Sequence, residues 1–295
     1  MSPTVEVFAD VVTGIALATF QAVPIERVRE YWDRRPCNIR HSPREVGTRN
    51  YFDEVEARKY FVEPHIPGFA EFPRWAGRRV LEIGCGIGTD TISFARAGAQ
   101  VTAVDLSESS LEVARKRANV FGLDDRITFY QANAERLADV VPPEPHDLVY
   151  SFGVIHHTPH PERVVEQVRQ HFLAPGGYFK VMVYHRWSWK VLGILLSEAH
   201  GQFWRLDAAI ARSSEAQTGC PVTYAYTRSD ASRLLPGFEI VDVFVDHIFP
   251  YRVDEYVQYR YVKARPFRWL PNPVMRALER RLGWHLCITA RQPGP

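Results

Sequence analysis

Lysine is nearly missing from the sequence: 5 of the 36 basic residues are Lys, the rest are Arg, and the net charge is only +2 over 295 residues. A balance this even gives no global drive toward nucleic acid or an anionic membrane. Cysteine is sparse as well. Cys37, Cys85, Cys220 and Cys287 lie far apart with no C-x-x-C spacing. That excludes a zinc knuckle and a disulfide framework, predicts no metal centre, and fits a reducing, cytoplasmic setting. Long apolar runs are also wanting. Residues 11–23 form an apolar stretch too short to span a bilayer, broken by Thr13, Gly14, Thr19 and Gln21. Glu6 and Asp10 precede it without any Lys or Arg, the wrong sign for a signal peptide. The run WKVLGILL at 189–196 is shorter still and reads as a buried helix. There is no internal repeat and no low-complexity tract.

What is present is ordinary globular composition, 46% hydrophobic and 24% charged. The clearest pattern starts at Arg78. RRVLEIGCGIG is a short β-branched run ending in three glycines, and TDTISFARAGA follows at helical spacing. VTAVDLS reads as a second strand, and Ser107 then caps a helix that Gly122 ends. RITFYQANAE, DLVYSFGVI and LAPGGYFKVMVY supply three further strands, with a helix from Pro161 to Phe172 between the last two. Two late runs, 238–248 and 283–291, complete a set of seven. Alternating strand and helix predicts right-handed crossovers and a doubly wound, mostly parallel α/β sheet. Residues 1–77 are expected to form a helical N-terminal lid, with helices at 25–34 and 52–60. Residues 78–295 form the main domain, with cap segments inserted at 184–237 and 249–282.

A glycine turn after a first strand brings backbone N–H groups close to a ligand. Here Gly84, Gly86 and Gly88 read G-x-G-x-G rather than the G-x-G-x-x-G of a dinucleotide turn. Glu82 adds negative charge, which suits a ligand with an amine and a positive centre better than a diphosphate. Asp105, ending the second strand, can accept both hydrogen bonds of a ribose diol. Asn133, after the third strand, sits where it would read an adenine edge, able both to accept and to donate.

These motifs together resemble the class I S-adenosylmethionine-dependent methyltransferases, in the broad group acting on small molecules. VLEIGCGIG is similar to that family's first motif, VTAVDLS to its second, and QANAE to a motif more often written with Asp where this chain has Asn133. DLVYSFGVIHHTPHP and LAPGGYFKV are similar to the fourth-strand and fifth-strand motifs. The resemblance implies a Rossmann-like fold and S-adenosyl-L-methionine as methyl donor. Its contacts would include Glu82, Gly84, Cys85, Gly86, Gly88, Asp105, Leu106, Asn133, Ala134 and Ser151. The implied reaction is in-line methyl transfer to an N, O or S atom of a small acceptor, driven by positioning and exclusion of water.

A base is needed only if the acceptor arrives protonated. His157 matches the family position beside the transferred methyl, and His156 precedes it; either would orient or deprotonate the acceptor, or simply order the loop. Tyr31, Arg40, His41, Tyr51 and Tyr184 are the substrate-side expectations. The 213–226 cluster, with Glu215, Gln217, Thr218 and Cys220, reads either as a pocket wall or as a turn; no spacing rule supports a soft-ligand pair of Cys37 and Cys220. The arginines at 252–281 lie among aromatics, a pattern that more often covers apolar surface than binds nucleic acid. Competing classes are a nucleotide-dependent oxidoreductase, a methyltransferase of proteins or nucleic acids, and a non-catalytic S-adenosylmethionine-binding protein. The oligomeric state is open.

Overall fold

The computed structural model of the protein describes residues 20–215 and 219–294. Most of the early apolar stretch, and Gln217 and Thr218, lie outside them. Strand alternation organises the molecule. In β1 (Arg79–Ile83) and β2 (Gln100–Asp105), side chains point to opposite faces in turn. Val80 therefore joins one buried cluster, with Ile92, Phe94 and Leu111, while Leu81 and Ile83 join the other, with Leu137, Val164 and Val168. The same alternation continues through β3 (Ile127–Gln131), β4 (His146–Phe152) and β5 (Leu173–His185).

These five strands run parallel, in the order β3-β2-β1-β4-β5. A two-residue strand, β6 (Ala225–Tyr226), pairs beside β5 as an eighth member not anticipated from the sequence. β7 (Glu239–Asp246) and β8 (His285–Arg291) finish the sheet in the order β5-β8-β7. β8 is antiparallel to both neighbours. The sheet is thus the expected α/β Rossmann-like one, with its last strands drawn from the end of the chain.

The helices follow their caps. α1 (Ile25–Arg34) and α2 (Arg49–Val62) precede the sheet, and the Thr48 hydroxyl accepts from Tyr51 N–H to start the second. A short α3 (Ile66–Ala70) leads into β1. α4 (Thr89–Arg96) follows the glycine turn. α5 (Glu108–Phe121) is capped by the Ser107 hydroxyl and ends at Gly122 in the left-handed region, which costs glycine nothing. α1 and α2 pack on α5, so the N-terminal segment closes over the carboxyl ends of β1 and β2. Arg58 ties that segment to the late insertion: its guanidinium donates to the Tyr256 carbonyl at 2.6 Å and lies 3.9, 4.5 and 5.8 Å from the rings of Tyr256, Tyr259 and Tyr261. Among the described residues no helix is long and apolar enough to cross a membrane.

Candidate functional site

The turn after β1 is fixed by its backbone. Gly84 and Cys85 N–H both donate to the Val104 carbonyl, at 2.7 and 2.9 Å, which bends the chain sharply across β2. Gly84, Gly86 and Gly88 all have positive φ, at 81°, 53° and 78°. A Cβ on Gly84 would lie 2.1 Å from a Val154 methyl carbon, whereas one on Gly86 would meet open space. That space belongs to a cavity lined by Gly84, Cys85 and Gly86, by Asp105 and Leu106, and by Asn133 and Ala134. Gly88 lies back from the cavity and packs against Ala114.

Asp105 accepts from Gly86 N–H at 2.7 Å and Ser107 N–H at 2.9 Å, one on each carboxylate oxygen. Burial pushes its carboxyl up to about 6, and the two backbone donors oppose that rise. Each oxygen keeps a second lone pair for a diol. Asn133 departs from expectation in one respect. Its side-chain oxygen caps the following turn, accepting from Glu135 N–H at 3.0 Å, so the amide nitrogen is its uncommitted group.

Other expected cofactor contacts fall behind this surface. Glu82 is buried under the turn and accepts from the Thr91 hydroxyl at 2.5 Å. Burial, with the Asp90 charge nearby, raises it to about 8. Ser151 is buried within β4, its hydroxyl without a hydrogen-bond partner. Neither lines the cavity.

The loop after β4 turns as a 3-10 helix, Ile155–His157, and this separates the two histidines. His157 lines the cavity. Its Nδ1 lies 2.8 Å from the Val222 carbonyl, which fixes the proton there, and its Nε2 lies 3.6 Å from Glu215. Burial alone would lower this imidazole, but Cys220 at 3.5 Å, Glu215 and the Val222 carbonyl raise it to about 9. His156 is placed differently: its ring packs against His157 and Tyr184, with centroids 4.1 and 4.0 Å away, and does not line the cavity. Burial drives its pKa well below the ordinary value, so it stays neutral. Successive residues of a tight turn point different ways, and only one can face a ligand.

Tyr184 does line the cavity, and its hydroxyl donates to Glu215 at 2.6 Å. The remaining substrate-side candidates lie off the cavity wall. Tyr51 is buried beside Phe52, Val55 and Ile87 and donates to the Ile39 carbonyl at 2.7 Å. Arg40 is exposed, and its carbonyl accepts from Tyr259. His41 packs edge-on to Tyr256, and Tyr31 packs on Trp32. None of the four lines the cavity; Arg40 and His41 meet Tyr259 and Tyr256 of the late insertion, while Tyr51 is bonded within the N-terminal segment. Cys37 faces the cavity, while Cys220 donates to the Val222 carbonyl at 3.1 Å.

Sequence reasoning missed Lys59, Glu63, Phe152, Met182 and His285, all on the cavity wall. Lys59 and Glu63 are four apart at the end of α2, a same-face spacing that was the available signal. Lys59 pairs with Asp90 at 2.7 Å, and Asp90 also accepts from Tyr60 and Tyr150 at 3.0 and 3.1 Å.

Residues 80–177 match the family described as a methyltransferase domain. A ubiquinone biosynthesis O-methyltransferase from Idiomarina loihiensis is 38% identical over 141 residues, 47% of this chain and 53% of that protein. An uncharacterized Synechococcus protein is 29% identical over 192 residues, 62% of this chain and 45% of its own. The chain thus spans about half the length of these relatives. Two solved structures share the fold. Geranyl diphosphate C-methyltransferase from Streptomyces coelicolor has a TM-score of 0.57 at 13% identity, covering 92% of this chain and 98% of that one. A putative S-adenosylmethionine-dependent methyltransferase from Listeria monocytogenes has a TM-score of 0.52 at 21% identity, covering 79% and 99%. The glycine turn joined to Asp105, the sheet order and the matched stretch agree: residues 80–177 carry a methyltransferase domain, set in a Rossmann-like sheet that solved methyltransferases share.

Proposed function

We propose that the protein moves a methyl group from S-adenosylmethionine to an N, O or S atom of a small-molecule acceptor. One observation carries this reading. A single cavity holds the glycine turn and Asp105 together with the polar group His157–Glu215–Tyr184, and the N-terminal helices supply its outer wall through Val28, Trp32 and Lys59. A wall of that kind favours a small acceptor over a protein or nucleic-acid strand. Residues 1–77, of which 20–77 are described, act in this reading as the lid, and residues 78–295 as the body.

The residues present fit the donor. Open space over Gly86 admits an adenosyl group close to backbone N–H groups, and the Asp105 oxygens meet a ribose diol. The Asn133 amide nitrogen is suited to an adenine ring nitrogen. Lys59 lies on the wall with its ammonium paired to Asp90 at 2.7 Å. Bound there, S-adenosylmethionine supplies an activated sulfonium methyl.

The chain's own work is to hold the acceptor in line, keep water out and receive a proton. His157 is held protonated at Nδ1 by the Val222 carbonyl and faces Glu215 with Nε2. Glu215 accepts the hydrogen bond of the Tyr184 hydroxyl as well. We assign the orientation of the acceptor to His157 and Tyr184 and the acceptance of its proton to Glu215, since an imidazole raised to about 9 already carries its proton near neutrality.

The test is direct. The purified protein is titrated calorimetrically with S-adenosylhomocysteine, then assayed for its formation from S-adenosylmethionine with amines, phenols and thiols. Stoichiometric binding and turnover with one of these classes support the reading. Binding without turnover on any class would leave only a binding protein, and no binding would end the proposal.

A further inference from the structure

Three imidazoles and a carboxylate meet where the end of α2, the end of β7 and the start of β8 come together. Glu63, His247 and His285 each offer one donor atom, and these atoms all lie within 4.8 Å of one another. The rings of His247 and His285 stack with centroids 4.5 Å apart. Nothing in the sequence spacing links these residues; topology alone assembles them, which is why the search for metal motifs along the chain passed over them.

The other ring nitrogens are already occupied in the way that metal-binding histidines require. His285 Nδ1 lies 3.0 Å from His65 Nε2, which leaves His285 Nε2 facing Glu63 Oε1 at 3.6 Å, beyond a hydrogen bond. His247 donates to the Val62 backbone and so keeps one ring lone pair. His247 also holds a positive φ of 71°, which a non-glycine residue adopts only when its surroundings enforce it. They do so here: its N–H donates to Asp246 and its carbonyl accepts from Trp284 N–H, both at 2.7 Å.

The nearby cations are engaged elsewhere, Lys59 by Asp90 and Lys190 by the Ser214 carbonyl. Glu63 and His285 line the cavity, so the cluster opens on that side.

We propose that Glu63, His247 and His285 bind a divalent transition-metal ion of the zinc type, with an open coordination position turned toward the cavity. Two imidazoles and one carboxylate with a free fourth position are the donor set of a catalytic rather than a structural zinc site. The three donor atoms already lie within 4.8 Å of one another, the neighbourhood from which bonds of about 2.0–2.2 Å would have to form. The open position would take an oxygen or sulfur of a ligand in the cavity. The inference does not rest on methyl transfer, and its readouts are independent of it.

The full-length protein, stripped with a chelator, is titrated with Zn(II) by calorimetry and with Co(II) by visible absorption. One equivalent is expected, with the ligand-field band of a four- or five-coordinate nitrogen–oxygen site. His247→Ala and His285→Ala should abolish it. His65→Ala, which removes the partner of His285 Nδ1, should weaken it by ~10- to 100-fold. Zinc should raise the melting temperature of the parent protein and not that of His247→Ala. Wild-type protein that takes up no stoichiometric ion overturns the proposal without any variant needing to fold. A sulfur-to-metal charge-transfer band would place the ion on a cysteine and overturn it equally.

Discussion

Tyr184, on β5, donates its hydroxyl hydrogen to Glu215, just after the helix Leu206–Ser213, at 2.6 Å, and His157 Nε2 stands 3.6 Å from the same carboxylate. Three separate stretches of chain thus meet at one carboxylate. If that carboxylate receives the acceptor's proton, Glu215→Gln should reduce turnover by ~10²- to 10⁴-fold, the usual contribution of a positioned base. S-adenosylhomocysteine affinity by calorimetry should stay within about twofold. A parallel loss of affinity would show that Glu215 holds the wall rather than serving the reaction.

Asp105 gives a pH dependence with a defined sign. Its carboxyl, raised to about 6 by burial, is protonated on acidification, and each protonation removes an acceptor from the diol. S-adenosylhomocysteine binding should therefore weaken as pH falls through 6, by ~10-fold one unit below it. Asp105→Asn should bind weakly at all pH values and lose this slope. A flat profile in the parent protein would contradict the assignment.

The His157 shift is a statement about stability. An imidazole raised to about 9 in the folded state contributes stability that is fully present below its ordinary 6.5 and is lost as pH rises through 9. Chemical denaturation of the parent should show a decline between pH 7 and 10 that His157→Gln lacks. Equal slopes in both proteins would remove the charged pair from the account.

Gly84 has no room for a side chain. Its φ is 81° and an added Cβ would meet three Val154 atoms closer than 3 Å. Gly84→Ala should cost about 1–3 kcal/mol in urea unfolding, through backbone strain and the displaced loop. It should also weaken S-adenosylhomocysteine binding, because Val154 lines the same cavity. Gly86→Ala probes something different. Its Cβ would meet no protein atom, so binding should suffer more than its backbone strain alone implies.

The buried pair Lys59–Asp90 joins the N-terminal segment to the helix after the glycine turn, with side chains 12% and 2% exposed. Asp90→Asn leaves the ammonium uncompensated, and loss of one partner of a buried pair typically costs ~3–5 kcal/mol. Urea unfolding checks it. A cost under about 1 kcal/mol would place Lys59 in water rather than in the wall.

The sequence made seven of the eight strands legible because they and the elements between them carry patterns of local origin: β-branched runs, a glycine turn, a serine cap, a helix-ending Gly122; the two-residue β6 carries none. The same locality exposed Asp105, which ends β2, and His157, in the loop that follows β4. It could not distinguish His156 from His157, since that depends on how a three-residue turn is rotated. Nor could it separate Tyr51, Arg40 and His41, which clasp other parts of the chain, from Trp32, which reaches the cavity. Lys59 and His285 became visible only once helix α2 and strand β8, at opposite ends of the sequence, were packed together.

The Arg58 cation, wrapped by Tyr256, Tyr259 and Tyr261, has a practical consequence for dissecting the protein. A version shortened to start at the first strand would leave three phenol rings around an empty socket. The stretch by which the family is recognised, residues 80–177, is accordingly not a unit that can be excised and studied by itself. Exchanging either flank with that of a related chain would have to carry the other flank along, because a single guanidinium joins them.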